Sequence, residues 1–234
     1  MSFGSLTANW TEVRARVQAA ARRSGRTADE VRVIAVTKTL PAEAVVAAAL
    51  AGATDIGENY VQEAMAKQQA VADALGAGGT ELRWHMIGRL QSNKAARAAR
   101  AFAFIHGVDS LSVVRAVSRA AGEGAPVADL LLQIKLGGAA VRGGIDPSDA
   151  ETFLRQAAAC PGVRFVGVMG VADPARPAQP QFARLRELAQ RLRALQWQHA
   201  PMTEISAGMS GDFEDAVAEG ATMVRIGTAL FGAR

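Results

Sequence analysis

Eight short apolar runs recur along this chain, each followed by a stretch with helical periodicity, and no other feature limits the fold as much. The runs begin near Val31, Thr54, Arg83, Phe104, Asp129, Arg164, Thr203 and Met223, with successive starts 20–39 residues apart. That spacing leaves room each time for one helix and two loops. The run from Val31 to Thr37 is rich in β-branched residues and is the clearest strand. Pro41 then opens an alanine-rich helix to about Ala51, proline being well tolerated in a first turn. Further helices are expected over residues 58–72, 93–101, 111–121, 148–159, 177–196 and 211–219. Alternating β and α units imply a parallel sheet, and eight of them imply closure into a (β/α)8 barrel of the TIM type. The alternative is an open doubly wound sheet. Such a sheet usually carries a Gly-rich turn after its first strand, and Thr37-Lys38-Thr39-Leu40 is not one. An extra N-terminal helix, residues 5–23, shows Leu6, Trp10, Val13, Val17, Ala20 and Ala21 at helical spacing and ends at Ser24-Gly25. Residues 1–234 are read as one domain with that helix packed on the barrel, close to the ~250 residues typical of the fold.

Composition excludes several classes. Half of the residues are hydrophobic and 21% are charged, which is wrong for a disordered chain. The single Cys160 excludes a disulfide framework and a cysteine-rich metal site, and His106 and His199 add no metal-ligand spacing, so no metal is expected. No apolar run approaches the ~20 residues needed to cross a bilayer, and the first residues have neither a basic nor an apolar leader segment. The cytoplasm is the expected compartment. A sequence pI of about 9.8 raises the question of nucleic acid. Arg184, Arg186, Arg191 and Arg193 cluster on one helix, and Lys94, Arg97 and Arg100 on another. Glu187 interrupts the first cluster, aromatics are only 5% of the chain, and no nucleic-acid module is recognised, so solvated helix faces are the reading. Met65 and Phe182 read as core residues, and the Gly-rich stretches 76–79 and 137–144 as loops.

Of 26 basic residues only Lys38, Lys67, Lys94 and Lys135 are lysine. Arginine stays charged and cannot act as a nucleophilic amine, whereas lysine can form an imine. Lys67 and Lys94 are expected on the surface and need no such explanation. Lys38 follows the first strand, where a barrel of this kind places its active site. The loop after the second strand carries Gly57-Glu58-Asn59-Tyr60, and the third strand carries Trp84-His85-Met86-Ile87-Gly88. Burial at a strand end would favour the neutral amine of Lys38, while a plain ion pair with Glu58 is the competing reading. Position alone does not separate the two. After the seventh strand come Ser206-Ala207-Gly208-Met209-Ser210-Gly211-Asp212, and after the eighth Val224-Arg225-Ile226-Gly227-Thr228. Ser206 offers a hydroxyl, and Gly208 and Gly227 let backbone amides approach an anion. Either turn alone would be an ordinary helix cap; two on adjacent strands favour phosphate. A phosphate site across the mouth from a reactive lysine suits pyridoxal phosphate, an aldehyde carrying its own phosphate.

These pieces, together with Ala35-Val36-Thr37-Lys38-Thr39, Gly57 to Glu63, Leu90-Gln91-Ser92-Asn93-Lys94 and Phe231-Gly232, closely resemble the pyridoxal phosphate homeostasis protein family, in order over residues 31–232. The resemblance implies a fold similar to the N-terminal barrel of alanine racemase, with pyridoxal 5′-phosphate held as a Schiff base on Lys38. It also implies that Ser206, Gly227 and Thr228 bind phosphate, that Arg225 faces the pyridine nitrogen, and that Asn59 and His85 line the ring. Two departures bear on cofactor transfer. Many members have a second lysine where this chain has Leu40, and the lysine usual in the loop 133–145 is replaced by Arg142.

An arginine facing the ring nitrogen does not give up its proton, so the ring stays unprotonated and is a weaker electron sink. Enzymes similar to alanine racemase also use a tyrosine on the second face of the substrate, and the only tyrosine here is Tyr60. The leading expectation is therefore intracellular buffering and delivery of pyridoxal phosphate by a monomer, with apo-enzymes as recipients and little or no turnover. The competing expectations are a racemase-like enzyme on the same linkage and an aldolase using Lys38 directly on a sugar phosphate.

Overall fold

In the computed structural model, which describes residues 4–76, 81–137 and 143–232, the chain closes into an eight-stranded parallel barrel with strands in sequential order. Helix α1 (Leu6–Arg23) comes first. The repeating units follow as β1 (Arg32–Val36), α2 (Ala42–Leu50), β2 (Asp55–Glu58), α3 (Val61–Leu75), β3 (Arg83–Met86), α4 (Ala95–Ala101), β4 (Phe104–Val108) and α5 (Leu111–Gly122). The second half comprises β5 (Asp129–Lys135), α6 (Ala150–Ala157), β6 (Arg164–Val171), α7 (Ala178–Ala194), β7 (Glu204–Ser206), α8 (Phe213–Ala218), β8 (Met223–Ile226) and the short α9 (Thr228–Phe231). All eight expected strands are present with starts shifted by one residue at most, and the closed barrel displaces the open-sheet alternative. β8 closes onto β1 through Arg32↔Met223, Val33↔Val224, Ile34↔Arg225 and Ala35↔Ile226.

Strand alternation divides the core into two layers. Val33, Ala35, Ile56, Ile105 and Leu130 point outward and pack with the helices in the large cluster. Ile34, Phe104, Leu131, Val166, Met169 and Met223 form a separate cluster drawn only from strands, and these residues fill the barrel. Close strand approach sets one position sharply. A Cβ on Gly167 would lie 1.8 Å from the carbonyl oxygen of Glu204, so any side chain there would force β6 from β7.

Two expected placements change. Phe182 is buried as expected, but Met65 is 44% exposed, because it lies on the solvent side of α3 away from buried Ala64, Lys67 and Val71. Lys67, expected on the surface, is 7% exposed: its position on α3 turns it inward beneath the loop that follows β1. The arginines of α7 do lie on its outer face, with Arg186 paired to Glu219. Residues 77–79 and 138–142 of the two expected Gly-rich loops, Arg142 included, lie outside the described residues.

Helix α1 buries Leu6, Val13, Val17, Ala20 and Ala21 against the end of the chain. Arg16 grips Glu214 through Nε at 3.2 Å and Nη2 at 2.9 Å, and its guanidinium lies 4.7 Å from the Phe213 ring centroid. Asn9 Nδ2 donates to Leu230 O at 2.8 Å. Both partners of the ion pair are partly exposed, so Arg16→Ala is expected to cost only about 0.5–1 kcal/mol. Thermal unfolding in low and high salt checks this, with a smaller difference between variant and parent in high salt.

Candidate functional site

The C-terminal ends of the strands surround a cavity of about 560 Å³. Val36, Ile87, Met169 and Val171 supply its apolar wall, while Lys38, Asn59, Ser210, Arg225, Gly227 and Thr228 bring polar groups to it. Of the eight residues singled out from sequence, five therefore meet at one cavity: Lys38, Asn59, Arg225, Gly227 and Thr228. A larger cavity of about 950 Å³ opens beside it around Arg89, Lys94 and Ser110 and shares only Asn59 with it. The smaller one holds Lys38 and Arg225 together.

Lys38 sits two residues beyond β1 in a turn closed by Leu40 N donating to Thr37 O at 3.0 Å. It is partly exposed rather than buried, because the turn lifts it to the rim. Glu58, its expected ion-pair partner under the plainer reading, is engaged instead by Lys67 at 2.7 Å. Lys38 has no hydrogen-bond or ion-pair partner among the described residues. An amine at a cavity mouth with no carboxylate holding its proton is available for condensation.

Arg225 forms the floor opposite. It is 5% exposed, and burial lowers its guanidinium to about 10, with Asp212 partly offsetting the loss of water, so it remains a cation at neutral pH. Nη1 donates to Ser206 Oγ at 2.6 Å and Nη2 to Gly170 O at 3.0 Å. It forms no ion pair among the described residues. A buried cation without its own anion favours an electron-rich ligand atom in the cavity above it.

The other three expected residues are placed differently from the cavity lining. Ser206 and His85 are both fully buried, and they belong to a chain of hydrogen bonds that runs through the barrel interior. His106 Nδ1 lies 2.9 Å from Ser206 Oγ, His85 Nδ1 lies 2.9 Å from His106 Nε2, and His85 Nε2 lies 2.8 Å from Asp55 Oδ1. Arg83 closes the far end on Asp55 Oδ2 at 2.8 Å. One proton assignment satisfies every member. The Asp55 carboxylate can only accept, so His85 carries its proton on Nε2; its Nδ1 then accepts from His106 Nε2–H, and His106 Nδ1 accepts from the Ser206 hydroxyl, whose oxygen accepts from Arg225.

The electrostatics agree with that assignment. Burial lowers His106 well below the usual imidazole value, helped by the nearby His85, Arg225 and Arg32. Burial also lowers His85, against the pull of Asp55. For Asp55 burial acts upward, but hydrogen bonds from His85 and Arg83 outweigh it and hold the carboxyl well below the usual range. Gly208 is buried, with φ +89, and a Cβ there would meet Phe213 Cα and Ala216 Cβ at 2.7 Å; its place is fixed by packing beneath α8. The hydroxyl that lines the cavity from the β7 loop is that of Ser210, which also accepts from Ala229 N at 3.1 Å.

Sequence reasoning did not single out His106 or Asp55 as members of this arrangement, and it took the Ser210-Gly211-Asp212 turn as suited to an anion through its backbone amides, not through the Ser210 hydroxyl. The available signal for His106 was a polar residue inside an otherwise apolar strand, whereas Asp55 opens β2, which also carries Glu58, and gave no such signal. Register places His85 beside Phe104, whose ring stacks on it at 4.6 Å, and His106 follows two residues later on the same inward face.

A closed parallel barrel with an unpaired lysine at its mouth and a buried arginine facing it defines a (β/α)8 barrel with a lysine-bearing small-molecule site. Residues 6–234 match the family model "Alanine racemase, N-terminal domain". The chain is 40% identical to the pyridoxal phosphate homeostasis protein of Pseudomonas aeruginosa, covering 99% of this chain and 97% of that protein. It is 37% identical to the protein of the same name from Escherichia coli K12, covering 99% and 98%. PipY of Synechococcus elongatus, solved with PLP bound, superposes with a TM-score of 0.83 at 38% identity, over 97% of this chain and all of that one. Alanine racemase of Clostridium difficile shares the fold alone, at TM-score 0.72 and 14% identity over 57% of its length. The chain belongs to the pyridoxal phosphate homeostasis proteins within the alanine racemase N-terminal domain family.

Proposed function

We propose that this protein binds pyridoxal 5′-phosphate at the barrel mouth, held as a Schiff base on Lys38, and buffers and delivers the cofactor with little or no turnover. The observation that carries the reading is the pairing of Lys38 with Arg225 across one cavity of suitable size, since small-molecule sites span about 300–1,000 Å³. Bound there, the cofactor supplies an aldehyde carbon for the amine and a ring that withdraws electrons from it.

The protein's own residues divide the remaining work. Arg225 offers a fixed donor to the ring nitrogen and does not surrender its proton to it. Gly227, Thr228 and Ser210 border the place for the phosphate, and Asn59 with the apolar wall of Val36, Ile87 and Met169 borders the ring. Racemisation needs one group to remove a proton and a second to return it on the opposite face. The described residues lining the cavity include no carboxylate, histidine or tyrosine to pair with Lys38, and Tyr60 is 56% exposed outside it. That supports holding over turnover. In this reading residues 1–234 work as one domain and as a monomer in the cytoplasm, and apo-enzymes requiring the cofactor are the recipients. No helix of the described residues is long and apolar enough to cross a membrane.

Borohydride reduction followed by peptide mass spectrometry is expected to place the reduced cofactor on Lys38. Label on Lys67, Lys94 or Lys135 in its stead would defeat the assignment. Incubation of the loaded protein with a panel of amino acids is expected to give no more than stoichiometric product; sustained multiple turnover would replace the buffering reading with the racemase-like one.

A further inference from the structure

The geometry points to Lys67 as the positioning residue for the Lys38 amine: with Glu58 and Glu63 it forms a clamp, buried at Lys67 and Glu58, that holds the turn carrying Lys38 in a strained shape. This inference rests on the proposed use of Lys38 and names what aims it.

The clamp grips the chain on both sides of Lys38. Lys67 Nζ donates to Thr37 O at 2.8 Å, to Glu58 Oε1 at 2.7 Å and to Glu63 Oε1 at 2.6 Å, which uses all three of its protons. Thr37 Oγ1 donates to the same Glu58 oxygen at 2.7 Å, and Thr39 N donates to the same Glu63 oxygen at 2.6 Å. The residue before Lys38 and the residue after it are thus tied to one cluster spanning the loop after β1, the end of β2 and the first turns of α3. Lys38 itself makes no contribution to the clamp, so its side chain is left free while its backbone is fixed.

The fixed shape is not one the turn would choose. Thr39 has φ +63, in the left-handed region that a β-branched residue rarely occupies. Such conformations persist only where surrounding contacts over-determine them. Here the contact on Thr39 N comes from Glu63, and Glu63 is steered by Lys67. Glu58 adds tension of another kind. Burial raises its carboxyl above the usual value, against the bonds from Lys67 and Thr37, and its Oε2 has no partner. With one oxygen already unpartnered, Glu58 depends on the two donors to Oε1, and removal of Lys67 would leave one.

The aim matters because of what Lys38 must do. Its Nζ, as the neutral amine, adds to the aldehyde carbon of the cofactor, and one water leaves as the carbon–nitrogen double bond closes. Misplacement of a reacting atom by about 1 Å can cost on the order of 100-fold in such steps. Arg225 and the loops after β7 and β8 hold the cofactor from the opposite wall and do not touch the clamp. The clamp therefore governs covalent capture separately from non-covalent fit.

The test compares Lys67→Met with the parent using two probes. Pyridoxine 5′-phosphate lacks the aldehyde and reports non-covalent fit; pyridoxal 5′-phosphate followed by borohydride trapping reports capture. Lys67→Met is expected to bind the first within about twofold of the parent and to capture the second about tenfold less. Adding Thr39→Gly, which occupies a positive φ without strain, is expected to restore capture to within about threefold. A lysine that merely supported the fold would not be rescued by that change. Should Lys67→Met fail to fold, Glu63→Gln, at a partly exposed position in the first turn of α3, removes the charge that holds Thr39 N and is expected to lower capture about threefold. Capture unchanged in the folded variant, or equal loss with both probes, overturns the clamp. Lys38→Ala runs alongside: adduct persisting there sinks the Lys38 reading itself, whereas its loss with Lys67→Met unaffected sinks only the clamp.

Discussion

Replacing Lys38 with alanine is expected to leave a folded barrel that forms no borohydride-stable adduct with pyridoxal 5′-phosphate and binds it about 100-fold more weakly, ~2.7 kcal/mol. The expectation follows from where the four lysines lie. Lys67 spends its three protons inside the clamp, Lys94 lies beside the neighbouring cavity, and Lys135 is exposed at the end of β5. Only Lys38 lines the cavity that Arg225 floors. Residual binding should survive, because Arg225, Thr228 and the glycine backbone at 227 lie on other elements and do not depend on the lysine. Titration of the variant by cofactor fluorescence measures the loss. Affinity within threefold of the parent would mean that the linkage contributes little and that the site lies elsewhere. The side chain removed is partly exposed and unpaired, so no more than about 0.5 kcal/mol of stability should accompany its loss.

Cutting the buried chain at His106 is expected to have the largest effect on stability. His106→Leu keeps most of the volume but leaves the Ser206 hydroxyl proton without an acceptor and His85 Nδ1 without a donor. At about 1–3 kcal/mol for each buried unpaired group, the cost is about 4 kcal/mol, a fall in Tm of roughly 8–16 °C for a domain of this size. Arg225 should also lose its firm seat, since Ser206 Oγ would be free to turn away from it. The same chain fixes the sign of the acid response. His85 and His106 have folded values lowered from the ordinary one, so the unfolded chain binds more protons and stability falls as pH drops below about 6.5. Asp55, also lowered on folding, adds stability above the ordinary carboxylate range that is lost as pH falls through and below it. The parent should therefore lose stability in two steps on acidification, and His106→Leu should show a shallower first step. Denaturant unfolding between pH 8 and about pH 2 reads both steps; a flat profile from pH 7 to pH 5 would remove the neutral-histidine assignment.

Much of this architecture was legible in the residues themselves. Strand and helix alternation is carried by local periodicity, and eight β/α units leave few ways to bury their apolar faces, so closure and the position of the mouth followed. Residues that meet at the mouth could be read because they sit at strand ends. That rule put Lys38, Asn59, Arg225, Gly227 and Thr228 among the candidates for the mouth, and the family resemblance picked Asn59, Arg225 and Thr228 out from their neighbours. Residues whose role depends on what lies across the barrel could not be read in the same way. Ser206 looks like a phosphate ligand from its Ser-Gly-rich turn, yet the direction of its hydroxyl is set by His106 and Arg225 on β4 and β8.

Lys67 marks the boundary between the two kinds of information. Its spacing of four residues from Glu63 is that of an ordinary pair on a solvated helix face, and the amphipathic pattern of α3 says no more than that. Only the pairing of β1 with β2 and the packing of α3 against them bring the carboxylate of Glu58 and the carbonyl of Thr37 over that face, and that packing also removes the water that would have screened the charges. Sequence by itself determined the elements, their order and the lysine at the first strand end, because these follow from short-range periodicity and chain connectivity. Which polar groups pair with which was decided by the tertiary structure, because the cost of leaving a buried donor or acceptor unpaired depends on neighbours from distant parts of the chain and on how much water they exclude.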